Sequence, residues 1–232
     1  MSMVRLISIT KPESSPLIRE NFSAEDLIVY IARVSNPENQ FNKKTSSRLI
    51  KYLIDHKHWS PFEMVDLTFE IKTSRAIAAQ IVRHRSFNFQ EFSQRYSVVN
   101  NYEPIELRLQ GDKNRQVGDE VIPVTSQQHS ILVNLIQETI KSTEHCYEIL
   151  LRNGVAKEVA RMVLPLTTQT TLYMKGNLRS WIHYVNLRAS PETQKEHRYV
   201  AERVKETLIP IFPNVSIALG WKKQHEETQE DY

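Results

Sequence analysis

The fourteen residues RHRSFNFQEFSQRY, from Arg83 to Tyr96, concentrate more chemistry than any other stretch of this chain. Three arginines (Arg83, Arg85, Arg95) stand against one acid, Glu91, with His84, two serines and several aromatics between them and no glycine. A solvated helix face intersperses its cations with carboxylates. An excess of guanidinium forks suits phosphates and planar carbonyl groups, and aromatic faces receive flat rings. One charge-assisted hydrogen bond is worth roughly 1.5–3 kcal/mol, so two or three converging on a phosphate would dominate affinity. A basic helix end, with Glu91 paired to one arginine, accounts for one of the three and not for the set. The segment fits an anionic ligand with rings, such as a nucleotide.

Three further segments hold ligand-capable groups. In His56-Lys-His58-Trp-Ser-Pro-Phe-Glu63 the two histidines could begin a metal site, but no further ligand of matching spacing accompanies them, and no metal is expected. Trp59 and Phe62 read as core aromatics or as walls of a flat-ring site. Arg161 follows Glu158 by three residues, the spacing of an ordinary helical ion pair, and reads locally as structural. Between Asn177 and Arg188, the residues Asn177, Ser180, His183 and Tyr184 can share one helical face. Nucleophilic catalysis has little support: Cys146 reads as a buried thiol in a long helix, and Ser93 lacks a glycine-flanked elbow.

The elements that must position these groups follow from periodicity. Residues 4–10 are β-branched enough for a strand. Ser23-Ala-Glu-Asp26 resembles a capping box, and Leu49, Ile50, Leu53 and Ile54 lie on one face of a second helix beginning near Thr45. Residues 64–73 alternate apolar and polar, a half-buried strand. Ser74 can cap a helix that runs on into the arginines, placing Gln80, Arg83 and His84 on one face. Residues 100–123 read as a loop or insertion, and 126–153 as a long helix stopped by Gly154. A short helix containing Arg161, a strand over TTQTTLYM and a helix over NLRSWIHYVNLR follow. Ser190-Pro191 signals a helix start whose N-terminus would favour an anion beside Arg188. About the last dozen residues, 221–232, read as a frayed tail. The result is a mixed α/β (α+β) chain.

Composition sets the limits. The 232 residues fit a single domain; the net charge of +3, from 30 basic and 27 acidic residues, is too mild for a polyanionic partner. Nucleic-acid binding by the same arginines and aromatics, the principal alternative, therefore has no basic stripe behind it. One cysteine excludes an intramolecular disulfide, and neither a signal-peptide core nor a membrane-length apolar run is present, so a cytoplasmic location without membrane contact is expected. The five glycines, at 111, 118, 154, 176 and 220, are too scattered for a glycine-rich phosphate cradle. Side chains must hold any phosphate.

RHR, then seven residues, serine, and arginine two further on resembles the signature of the flavin-dependent thymidylate synthases. His58-Trp-Ser-Pro-Phe-Glu63 is similar to that family's H-x-[ST]-P-F-E element, Val159-Ala-Arg-Met-Val-Leu-Pro-Leu166 to its V-A-R-x-x-L-P-L element, and Asn186-Leu-Arg188 to its N-L-R element. All occur in family order across most of the chain. The resemblance implies a homotetramer of mixed α/β subunits, each with a central sheet flanked by helices. It also implies conversion of dUMP to dTMP with methylenetetrahydrofolate as carbon donor, NADPH as reductant and FAD as cofactor.

Position by position, the resemblance implies that Ser60, Glu63, Arg83, His84, Arg85, Glu91, Asn177, Arg179 and His183 hold FAD. Gln80, Arg83, Glu91, Ser93, Gln94, Arg95, Arg161 and Arg188 would hold dUMP, with His58 near the flavin and folate rings and Arg188 polarising the uracil. Arg161 thereby becomes a nucleotide ligand instead of an ion-pair partner. The chain departs from some relatives at Gln94, where they have glycine, and at His183, where they have asparagine. A histidine that others carry after Arg188 is absent, which leaves Glu192 unassigned. An assembly subunit without activity would have no reason to retain Arg95, Arg161 and Arg188 together.

Overall fold

The computed structural model describes residues 2–13, 22–98, 101–112 and 118–222, apart from the side chain of Asp119. Along the described residues run β1 (Met3–Ile9), α1 (Ala24–Ala32), α2 (Ser46–Asp55), β2 (Asp66–Ser74), α3 (Arg75–Ile81), β3 (Asn88–Glu91), β4 (Arg108–Gln110), β5 (Gly118–Val121), α4 (Gln127–Arg152), α5 (Lys157–Ala160), β6 (Gln169–Asn177), α6 (Leu178–Arg188), α7 (Lys195–Ile211) and α8 (Pro213–Ala218). Short 3-10 turns lie at Pro37–Asn39, Ser60–Met64 and Arg161–Val163. The mixed α/β class is as the sequence implies. Four strands form one sheet in the order β1-β2-β6-β3, and β4 pairs with β5. The chain divides into two compact units, one of Met1–Arg5, Glu70–Met174 and Leu187–Val200, the other of Leu6–Phe69, Lys175–Asn186 and Ala201–Tyr232. Of the expected tail, residues 223–232 lie outside the described residues.

In the second unit the capping box forms as read: Asp26 N–H donates to Ser23 Oγ, and Ser23 N–H to the Asp26 carboxylate. The apolar face of α2 buries Ile50 and Leu53. That helix ends with Lys57 in the left-handed region at φ 58°, where Lys57 N–H reaches Ile54 O at 3.1 Å and His58 N–H reaches Leu53 O at 2.8 Å. This Schellman closure turns the chain sharply into His58-Trp59-Ser60. Val65, Leu67 and Phe69 are fully buried, and Trp181 meets Phe69 edge-on at 4.7 Å.

In the first unit Glu70 departs from simple alternation. It is buried on β2, with Arg5 Nη2 donating to it at 2.9 Å and Tyr173 Oη at 2.8 Å. Ser74 occupies the N-cap of α3 but its hydroxyl makes no cap bond; its N–H donates instead to the buried Glu103 carboxylate at 2.8 Å.

Four expectations are corrected. The α3 helix ends at Ile81, and the chain turns to bury Phe87, so Arg83 and His84 do not continue the helical face of Gln80. Residues 100–123 contain the antiparallel β4–β5 hairpin, paired Arg108 to Val121 and Leu109 to Glu120. The helix after Arg188 begins at Lys195, because Ser190–Thr193 closes as a turn whose buried Thr193 hydroxyl donates to Leu187 O at 3.3 Å. Cys146 is exposed: α4 buries only Tyr147 among its described residues. No helix among the described residues is long and apolar enough to cross a membrane.

Candidate active site

The candidate residues divide between the two units. In the first, Gln80 lies in the last turn of α3 and His84 just beyond it, both half-buried, while Arg83 and Arg85 are exposed. Among the described residues neither the Arg83 nor the Arg85 side chain has a hydrogen-bond or ion-pair partner. Arg188, the final residue of α6, donates its Nε–H to His84 Nε2 at 2.9 Å. The imidazole must therefore accept at Nε2 and carry its proton on Nδ1. Burial, then the adjacent Arg188 charge, push its pKa down to about 4. No carboxylate among the described residues pairs with Arg188, whose charge is left uncompensated by an acid. Arg188 therefore does not stand beside a helix N-terminus as the Ser190-Pro191 signal implied; the α7 start lies at Lys195.

Two residues that sequence reasoning missed stand beside this pair. His197 is fully buried on α7, its ring edge-on to His84 at 6.2 Å, and burial followed by the Arg188 and His84 charges lowers its pKa to about 3. Gln194 accepts from Gln80 Nε2 at 2.7 Å. No local signal marks His197: its approach to His84 depends on the turn at Ser190–Thr193 and on α7 beginning at Lys195.

The remaining candidates of this unit lie at the end of β3 and beyond it. Glu91 accepts from Thr170 Oγ1 at 2.9 Å and not from an arginine. Ser93 Oγ accepts the Arg95 N–H at 3.3 Å. Gln94 is buried as a whole residue, and Arg75 Nη1 donates to its Oε1 at 2.9 Å. Arg95 pairs with Glu158 at 3.1 Å. The helical Glu158–Arg161 pair expected from spacing does not form. Arg161 Nε reaches only the Glu158 carbonyl at 3.4 Å, because the carboxylate is taken by Arg95. Beside Arg95 lies a shallow cavity of about 180 Å³ lined by Tyr96, Ala156, Lys157 and Glu158.

In the second unit Arg179 Nη1 is hydrogen-bonded to Glu63. Asn177 Oδ1 accepts the Ser180 N–H at 2.9 Å, which makes Asn177 the N-cap of α6. Ser180 and Tyr184 are buried while His183 is exposed, so the single face proposed for these residues is split. The His183 ring lies edge-on to Trp59 at 5.0 Å, and partial burial together with Arg179 lowers its pKa. Phe62 is core, and Ser60 and His58 are exposed, with His58 5.9 Å from the Tyr52 ring. Among the described residues no group of three or more histidine, cysteine or acidic side chains could hold a metal ion.

The family model described as thymidylate synthase complementing protein matches residues 16–214. A probable flavin-dependent thymidylate synthase of Paramecium bursaria Chlorella virus 1 is 49% identical over 218 residues, which is 94% of this chain and 98% of that protein. The flavin-dependent thymidylate synthase of Synechocystis sp. is 48% identical over 219 residues, 94% of this chain and 99% of that protein. Among solved structures, the UMP/dUMP methylase PolB from Streptomyces cacaoi, bound with 5-Br dUMP, matches with a TM-score of 0.79 at 27% identity, covering 95% of each chain. A family match over most of the sequence, with relatives nearly half identical along almost their whole length, makes this chain a member of the flavin-dependent thymidylate synthases.

Proposed function

We propose that this chain methylates C5 of dUMP to give dTMP, with methylenetetrahydrofolate as carbon donor, NADPH as reductant and FAD as cofactor. Overall, the folate methylene carbon replaces the uracil C5 proton; one hydride from NADPH completes the methyl group, and the released proton together with one solvent proton restores the two N–H groups of tetrahydrofolate. The observation that carries the reading is Arg188, a cation resting on the neutral His84 imidazole with no acid among the described residues to satisfy it. His84 occupies the Nε–H, and the terminal nitrogens remain as donors. Against the pyrimidine carbonyls they would stabilise the negative charge that develops as C5 becomes nucleophilic. No thiolate is required, in keeping with the position of Cys146 on an exposed helix face.

The donor set fits the cofactor. Exposed Arg83 and Arg85, unpaired among the described residues, suit a diphosphate, with His84 and Glu91 on the same unit. The second unit by itself presents, at Ser60, Glu63, Asn177, Arg179 and His183, hydroxyl, carboxylate, amide, guanidinium and imidazole groups of the kinds that hydrogen-bond a flavin nucleotide, and exposed His58 suits a flat ring. A bound flavin supplies hydride chemistry that no side chain can. For dUMP, Arg95 and Arg161 are the phosphate ligands, joined by Ser93, with Gln80, Arg83, Glu91 and Arg188 toward the nucleoside. A homotetramer is supported by α4, whose Ile131 and Leu135 are each 59% exposed and sit one turn apart.

The test is the visible spectrum of the purified protein under anaerobic conditions. Flavin absorbance that bleaches on adding NADPH with dUMP is expected. A protein that takes up no FAD would overturn the proposal.

A further inference from the structure

A chain of side-chain hydrogen bonds runs, within the first unit, from the β4–β5 hairpin to the buried histidine of α7. Arg108 Nη2 donates to Glu196 Oε1 at 2.6 Å, and Gln194 Nε2 donates to Glu196 Oε2 at 2.9 Å. Gln80 Nε2 donates to Gln194 Oε1 at 2.7 Å, and His197 Nδ1 lies 3.2 Å from Gln80 Oε1. A carboxamide has nearly the same shape with its oxygen and nitrogen exchanged, so its orientation is set by its partners. An ionised carboxylate can only accept. Burial opposes ionisation of Glu196, yet the hydrogen bonds from Arg108 and Gln194 hold its carboxyl below the usual range.

Polarity therefore propagates from the charged end. Gln194 must turn its amine to Glu196 and its carbonyl to Gln80. Gln80 must turn its amine to Gln194, which leaves its carbonyl facing His197. A neutral histidine can complete this chain only with its proton on Nδ1. The hairpin supports the charged end by close packing: a Cβ added at Gly118 would meet Arg108 Cβ at 2.9 Å, so glycine lets β5 lie against the arginine that holds Glu196.

We infer that Glu196 and His197 are positioning residues that lock the Gln80 amide in one orientation, with one N–H and one carbonyl lone pair left to meet the pyrimidine nucleotide. The substrate half of this inference rests on the proposed function; the lock does not. A buried histidine that merely filled space would tolerate an apolar residue of similar volume better than a polar one. A positioning histidine reverses that order, because asparagine places a donor close to Nδ1 and leucine has none.

Two measurements test it. Nitrogen-15 NMR of histidine-labelled, nucleotide-free protein reads the His197 tautomer directly, and Nδ1–H is expected; Nε2–H would overturn the lock whatever the substrate. Titration of FAD-loaded protein with dUMP then compares wild type, His197→Asn and His197→Leu. His197→Asn is expected to stay near wild type and His197→Leu to bind about fivefold more weakly, the worth of one neutral hydrogen bond. Leucine binding like wild type, or asparagine as weak as leucine, would overturn the positioning role. An Nδ1–H tautomer in a wild-type protein that binds no dUMP would uphold the lock and remove the substrate reading instead.

Discussion

Arg188 and His84 share a hydrogen bond in which a cation leans on a neutral base, guanidinium Nε to imidazole Nε2 at 2.9 Å. Most arginines in proteins meet an acid. An acid here would neutralise the charge that the proposed chemistry uses, whereas a neutral imidazole fixes the guanidinium without cancelling it. Burial first, and then this proximity, make His84 resist protonation, since a second positive charge would lie against the first.

That resistance makes stability depend on pH. His84 and His197 bind protons in the native state only near pH 4 and 3, whereas an ordinary histidine does so near 6.5. The unfolded chain therefore binds more protons than the folded one as pH falls below about 6.5. The stabilisation is complete above that pH and is lost progressively on acidification. Urea midpoints at pH 7 and pH 5 should differ, and His197→Asn should reduce the difference. Equal midpoints in the wild-type protein would contradict both depressions.

Arg95 and Glu158 form an exposed ion pair at 3.1 Å that a substrate phosphate would have to replace. Arg95→Ala should weaken dUMP binding by roughly 1.5–3 kcal/mol, one charge-assisted contact. Glu158→Gln should tighten it by up to about 1 kcal/mol, the ceiling for an exposed pair. Calorimetric titration separates the two; unchanged affinity in Arg95→Ala would remove this arginine from the phosphate site.

Asn177 has a structural duty besides its proposed contact with FAD, because its Oδ1 caps α6 through the Ser180 N–H. Asn177→Ala should cost about 1 kcal/mol of stability. Asn177→Asp keeps the acceptor and should keep the stability while weakening FAD uptake through the lost amide donor. Thermal melts and flavin titration on the two variants check this, and an alanine variant as stable as wild type would deny the cap.

Much of this was legible before the structure. The α2 face and the buried run Val65, Leu67, Phe69 and Ile71 follow from local periodicity, and the capping box at Ser23 from local hydrogen bonding. What escaped was set by distant partners. The sequence NFQE is a poor strand by composition and becomes β3 through its place beside β6. The end of α3 is fixed by burial of Phe87, and the start of α7 by burial of Thr193, which no nearest-neighbour rule contains. At the site, the arginines were visible as an excess of charge. Their partners were not: the Glu158 carboxylate goes to Arg95 across 63 positions of sequence, and His84 to Arg188 across 104.

Cys146 sits on the exposed side of α4 and takes no part in the proposed chemistry. Cys146→Ser should retain turnover. An inactive variant with its fold intact by circular dichroism would mean that the reaction uses a thiolate after all.

The central claim is that the uncompensated charge of Arg188 activates the pyrimidine. Its most direct test is dTMP formation from dUMP, methylenetetrahydrofolate and NADPH by the FAD-loaded protein and by Arg188→Ala, with bound FAD measured in both. Full flavin content with no detectable dTMP from the variant is predicted. Equal dTMP formation by the two proteins would contradict the claim.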